Sequence, residues 1–124
     1  MKYLCLVYYD EAIMNAMSDA EWAALNRECI ACSDGMRDSG HWLDGMPLES
    51  VQTATTLRMR NGKLSITDGP FAETKEQLAG FYLIDARDLN EAIQVASKIP
   101  PARYGSIEVR PVRDLERFRE TAHN

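Results

Sequence analysis

The chain has 124 residues, of which 45% are apolar. That is enough to build one folded core and too many for a disordered segment. Its 14 Lys and Arg against 19 Asp and Glu leave a net charge of −5, which argues against nucleic acid as the main partner, because phosphate binding wants a basic face.

From the N-terminus, KYLCLVYY (Lys2 to Tyr9) reads as a strand, with Tyr3, Cys5, Val7 and Tyr9 on one face and Leu4, Leu6 and Tyr8 on the other. Both faces are largely apolar, so both need cover. The run ends in Asp10-Glu11 with no small-residue cleavage site, and no signal peptide is expected. Ser18 with Glu21 is a capping box that starts a helix reaching about Asp38. Its apolar stripe is Trp22, Leu25, Cys29, Cys32 and Met36, and Gly40 is placed to end it. HWLDGMPL reads as a short, irregular strand. TATTLRMRNGKLSIT is a hairpin, because Asn61-Gly62 can take positive φ at both central positions. QLAGFYLID is apolar on both faces and is expected at the centre of a sheet, with Gly80 marking a close backbone approach or a bulge. Asp88 and Glu91 cap a second helix whose predicted buried face is Leu89, Ala92, Ile93, Ala96 and Ile99, stopped by Pro100-Pro101. SIEVRPV is the last strand, and Pro111, lacking an N–H, belongs at an edge or an end. DLERFRETA predicts a helical extension over about 114–122 that uses Leu115 and Phe118.

This order predicts a single α+β domain over residues 1–124: two strand–helix–strand units with a hairpin inserted between them. Two main helices cover one sheet face. The second apolar face needs another cover, and a second copy of the chain supplies it. The expectation is a homodimer in which two ferredoxin-like sheets meet face to face in a barrel-like α+β assembly. No run approaches the ~20 apolar residues of a membrane span. Three cysteines, an odd number, fit a reducing cytosol better than a disulfide framework, so a cytoplasmic location is expected.

Four groups of residues bear on chemistry. Cys29 and Cys32 form a C-x-x-C, but they fall mid-helix on the core stripe. Redox pairs use a helix N-terminus, and zinc needs about two more ligands. They are read as small buried hydrophobes, with no metal and no cofactor expected. His41 is the one histidine outside the tail; it suits acid–base work near neutral pH, although a lone histidine at a strand start is more often structural. Ser106, Glu108 and Arg110 alternate onto one face of the last strand and are either a surface group or ligand contacts, depending on the dimer. The strand tyrosines are assigned to core or interface.

TDGPFAETKEQLAGFYL, Thr67 to Leu83, carries more charge than a connection requires. Together with the amphipathic helix after it and the final IEVRP, it resembles the YCII-related proteins, in particular their DGPF subfamily. The resemblance covers Lys2 to Val112. It implies a ferredoxin-like fold, a barrel-like dimer and a pocket near the loop, with Asp68, Pro70, Phe71, Glu73, Lys75 and Glu76 on the loop motif and Glu108 and Arg110 on the final strand. It also implies a functional link to extracytoplasmic-function sigma factors. Smaller members carry a histidine in the first helix and an Asp-Pro before the last strand; this chain has neither, so that pair is not carried over.

The expected site follows. Gly69-Pro70 stiffens the loop, Phe71 pins it to the core, and Asp68, Glu73, Lys75 and Glu76 stand at the mouth of a cavity. Asp68 or Glu73 is the candidate proton acceptor, with His41 as a weaker acid–base group. Lys75 neutralises an anionic ligand, Arg110 grips its carboxylate or phosphate, and Glu108 orients Arg110. The ligand is expected to be small, partly apolar and anionic. Three readings stay open: a small enzyme doing proton transfer, a ligand-binding regulatory module, and an interaction protein whose loop charges staple two subunits.

Overall fold

The computed structural model describes residues 1–117 and 119. The elements are β1 (Lys2–Tyr9), α1 (Glu11–Asn15), α2 (Asp19–Asp38), β2 (Trp42–Pro47), β3 (Thr55–Arg60), β4 (Lys63–Asp68), β5 (Gln77–Asp85), α3 (Leu89–Ala96) and β6 (Gly105–Pro111), with 3-10 turns at Val51–Thr53 and Pro100–Tyr104. Four strands make one antiparallel sheet in the order β2-β5-β1-β6, and β3 and β4 pair only with each other. The central position expected for QLAGFYLID is observed, and β6, with Pro111 at its end, is an edge. The chain is therefore an α+β domain.

Local signals account for most element ends. The Ser18 side chain accepts from Glu21 N while Glu21 reaches back to Ser18 N, so both halves of the capping box form. Asp88 caps α3 by accepting from Glu91 N at 2.9 Å. Asn61 and Gly62 turn the hairpin at φ 52° and 75°. Gly80 marks both features expected of it. The β1–β5 register shifts beside it, and a Cβ there would lie 2.9 Å from the Met46 carbonyl oxygen.

Tyr3, Cys5, Val7 and Ile84 pack with Met36, Ala92, Val95, Ala96 and Ile99 in the core between sheet and helices. Two expectations for the helices are corrected. In α3 the buried residues are Ala92, Val95 and Ala96, while Leu89 and Ile93 are exposed. Small side chains face the sheet because they let the helix approach it closely. In α2 only Leu25 and Met36 are buried; Trp22, Cys29 and Cys32 are half-buried. One short helix was not expected: α1, capped by Asp10, buries Met14 and receives the Trp22 indole N–H on the Met14 carbonyl. At the other end of the chain, residues 115–117 and 119 are helical. Phe118 and residues 120–122 of the expected extension lie outside the described residues.

Alternation puts Leu4, Leu6 and Tyr8 on the face away from the helices, opposite Leu83, Phe81 and Leu78 of β5. Met46 of β2 extends this apolar face on one side, and Arg110, Glu108 and Ser106 of β6 border it on the other.

Candidate functional site

The loop after β4 is built by backbone and amide contacts. Gly69 takes φ 97° and donates its N–H to the Ala54 carbonyl at 2.7 Å. Thr56 Oγ1 donates to the Gly69 carbonyl at 2.8 Å, and Arg58 Nη2 to the Phe71 carbonyl at 3.0 Å. The loop's far end is held by Gln77. Its amide donates to the Thr74 carbonyl at 2.6 Å, while its Oε1 accepts from Glu11 N at 3.0 Å. Glu11 in turn accepts from Ser50 Oγ and Val51 N, each at 2.9 Å, tying α1 to the connection before β3. Neither Gln77 nor Glu11 was singled out from the sequence. Their partners lie 39 to 66 residues away, and no local pattern carries such pairings.

Within this frame, Asp68, Phe71, Glu73 and Lys75 are all exposed. Phe71 is 75% exposed, which corrects the expectation that it pins the loop to the core. The hairpin that leads into the loop forms a two-stranded sheet of its own, apart from the four-stranded sheet. Asp68, Glu73 and Lys75 make no side-chain hydrogen bond or ion pair among the described residues. Glu76 is half-buried and accepts a hydrogen bond from Ser106 Oγ at 2.8 Å, which joins the loop to β6. Farther along the same face, Arg110 Nε lies 3.5 Å from Glu108 Oε1. The loop motif and the last strand thus meet through Glu76 and Ser106, and a strip of Glu76, Ser106, Glu108 and Arg110 borders the uncovered apolar face.

His41 does not join this group within one chain. Its carbonyl accepts from Asp85 N, at the end of β5 opposite Gln77. Nine strand residues separate the two places by roughly 26 Å. His41 Nδ1 lies 2.6 Å from Ser39 Oγ, and its Nε2 lies 3.2 Å from Glu91 Oε1. Such a Ser–His–carboxylate chain suits hydrolysis only beside oxyanion donors. Here the neighbouring backbone N–H groups of Gly40 and His41 are spent on the Arg37 and Met36 carbonyls, closing the C-terminus of α2. The chain of contacts therefore acts as a latch between α2, β2 and α3. Hydrogen bonds from the Arg87 backbone N–H and guanidinium, and from His41, hold Glu91 below the ordinary carboxylate value.

Burial raises the thiol pKa values of Cys29 and Cys32. That is the opposite of a reactive thiol and matches a packing role. A cleft of about 1100 Å³ lies among Met1, Leu43, Asp85 and Val112 to Arg117, and another of about 580 Å³ lies under α2. Neither is lined by the loop residues or by Glu108 and Arg110. Among the described residues no helix is long and apolar enough to cross a membrane.

The family model described as YCII-related domain matches residues 1–116 of this chain. An uncharacterized protein of Rhizobium meliloti (strain 1021) is 40% identical over 114 residues, which span 90% of this chain and 92% of that protein.

Proposed function

The chain belongs to the YCII-related domain family, and from that premise we propose that it is a cytoplasmic, homodimeric small-molecule-binding protein of the DGPF type. The observation that carries this reading is the uncovered sheet face. Leu4, Leu6, Tyr8, Leu78, Phe81, Leu83 and Met46 form a broad apolar surface on the face away from the core that α2 and α3 cover. The strand order β2-β5-β1-β6, with antiparallel neighbours throughout, supports a ferredoxin-like sheet. Two such faces brought together bury this surface and close into a barrel.

Closure changes the chemistry of the β6 strip. Glu108 and Arg110, exposed in one chain, become polar groups beside an enclosed apolar space. Arg110 then offers its planar fork to a carboxylate or phosphate, and Glu108 orients it. Lys75 adds positive charge at the loop. Asp68 or Glu73 accepts a proton from the bound ligand where the dimer brings them over it, which is the step an enzyme of this design would perform.

A second reading has its own observation. One face of the hairpin presents Leu57, Met59, Leu64 and Ile66, exposed by 54% to 65%. That surface suits docking to another protein, and a sigma factor is the partner the family resemblance points to. Thermal-shift measurement against small carboxylates and phosphates separates the two. A binding dimer is stabilised by at least one of these anions, and Arg110→Gln abolishes the shift without dissociating the dimer. If no anion stabilises the protein and Asp68→Asn, Glu73→Gln or Arg110→Gln dissociates the dimer, these charges staple two subunits, the small-molecule reading fails and an interaction protein remains.

A further inference from the structure

We propose that the groove between α2 and the β2–β5 edge of the sheet, on the face opposite the β6 strip, binds a small, flat aromatic monoanion whose charge is held by Arg37.

The groove lies where α2 buries few of its side chains. α2 runs for 20 residues yet buries only Leu25 and Met36. Beneath it, Gly45 pairs with Tyr82 across β2 and β5, and Gly80 pairs with Val7 across β5 and β1. Both glycines hold helix-facing positions, and both are closely approached: a Cβ on Gly80 would lie 2.9 Å from the Met46 carbonyl oxygen. A Cβ on Gly45 would lie 2.8 Å from the Trp42 ring, so glycine is what allows that indole to fold down over its own strand. The result is a cleft of about 580 Å³ lined by Trp22, Cys29, Ser33, Arg37, Trp42 and Tyr82, among others. That volume is typical of small-ligand sites.

The walls define the ligand. Trp42 and Tyr82 meet edge to face, with ring centroids 5.9 Å apart and planes at 84°, which presents aromatic surface to a flat guest. In a chain of net charge −5, no Asp, Glu, Lys or His among the described residues lines the groove, and Arg37 is the one ionised group among them that does. The remaining polar groups are neutral donors: burial pushes the Tyr82 hydroxyl up to about 12 and raises the Cys29 thiol. Arg37 stacks 4.3 Å over the Trp42 ring and makes one ion pair, 3.4 Å to Asp34. Most of its five N–H donors therefore stay open to a ligand. A polyanion would meet one cation only, and an amine would meet no carboxylate on the groove wall. A monocarboxylate attached to an aromatic ring satisfies both the walls and the charge.

The test uses the chain's own reporters, because its two tryptophans, Trp22 and Trp42, both line the groove. Their indole N–H signals in a ¹H–¹⁵N spectrum are followed during titration with 3-phenylpropionate and with neutral 3-phenylpropionamide. The acid is expected to shift both signals saturably and to bind about tenfold more tightly than the amide, the difference one charge-assisted contact supplies. Arg37→Gln is expected to bring the acid down to the amide's affinity. If that variant fails to fold, Arg37→Lys serves in its place and should keep part of the preference. Absence of a saturable shift overturns the proposal, as does equal affinity for acid and amide, or full acid preference in Arg37→Gln. Indole signals that respond to protein concentration but not to the acid would show a second copy filling the groove, and would overturn it too.

Discussion

At the scale of residues, capping and charge pairing make the sharpest claims. Ser18 satisfies Glu21 N, and Ser18→Ala is expected to lower stability by about 1 kcal/mol in urea denaturation. An unchanged midpoint would show that the cap contributes nothing. Glu91 ties α3 to Arg87 and His41, and its carboxyl titrates below the ordinary glutamate value of 4.5. A group whose folded pKa is depressed stabilises the protein above its unfolded pKa and loses that contribution as pH falls through the folded one. The melting temperature of the parent should therefore exceed that of Glu91→Gln by a constant margin at neutral pH, and the margin should close below about pH 4.5. A margin that grows on acidification would contradict this assignment. Residues whose partners sit three or four positions away, such as Ser18 with Glu21 and Asp88 with Glu91, were legible in the sequence. Gln77 and Glu11 were not, because their partners are brought near only by the finished fold. Phe71 misled because a large apolar side chain announces burial, whereas its place on the loop leaves the ring exposed.

At the scale of elements, periodicity located the long ones and missed the short one. α2, β1, β5 and the β3–β4 hairpin each span enough residues for a pattern to repeat. α1 has five residues, and Asp10-Glu11, its cap and first turn, read equally well as the polar end of a strand. The buried face of α3 was misassigned because Leu89 and Ile93 match the same helical period as the alanines that pack; only the sheet's closeness selects the small ones. The hairpin makes a test of its own. Leu57 and Ile66 face each other across β3 and β4, 60% and 65% exposed. Replacing both with Thr should change the stability of the single chain by no more than about 0.5 kcal/mol, as for ordinary surface positions. Where a second copy covers that face, the same pair of changes weakens association instead. Comparing urea midpoints at low and high protein concentration distinguishes the two effects. Equal losses at both concentrations would mean that the hairpin packs within its own chain.

At the scale of the molecule, the order β2-β5-β1-β6 leaves helices on one side and an apolar face on the other. The loop and the last strand, read separately from the sequence, meet through the 2.8 Å contact of Ser106 with Glu76 at the border of that face. Their proposed chemistry depends on what lies across it, a property of the assembly that no intrachain pattern encodes. The groove under α2 depends in the same way on packing over Gly45 and Gly80, of which only Gly80 stood out locally. The claim on which the rest turns is that two chains close over the uncovered face. Sedimentation equilibrium at micromolar concentration tests it directly. A homodimer gives twice the 14.0 kDa chain mass, falling back to the single-chain value when Leu6 and Phe81, opposite each other on that face, are both changed to Lys. A parent protein that sediments at 14.0 kDa throughout that range would contradict it.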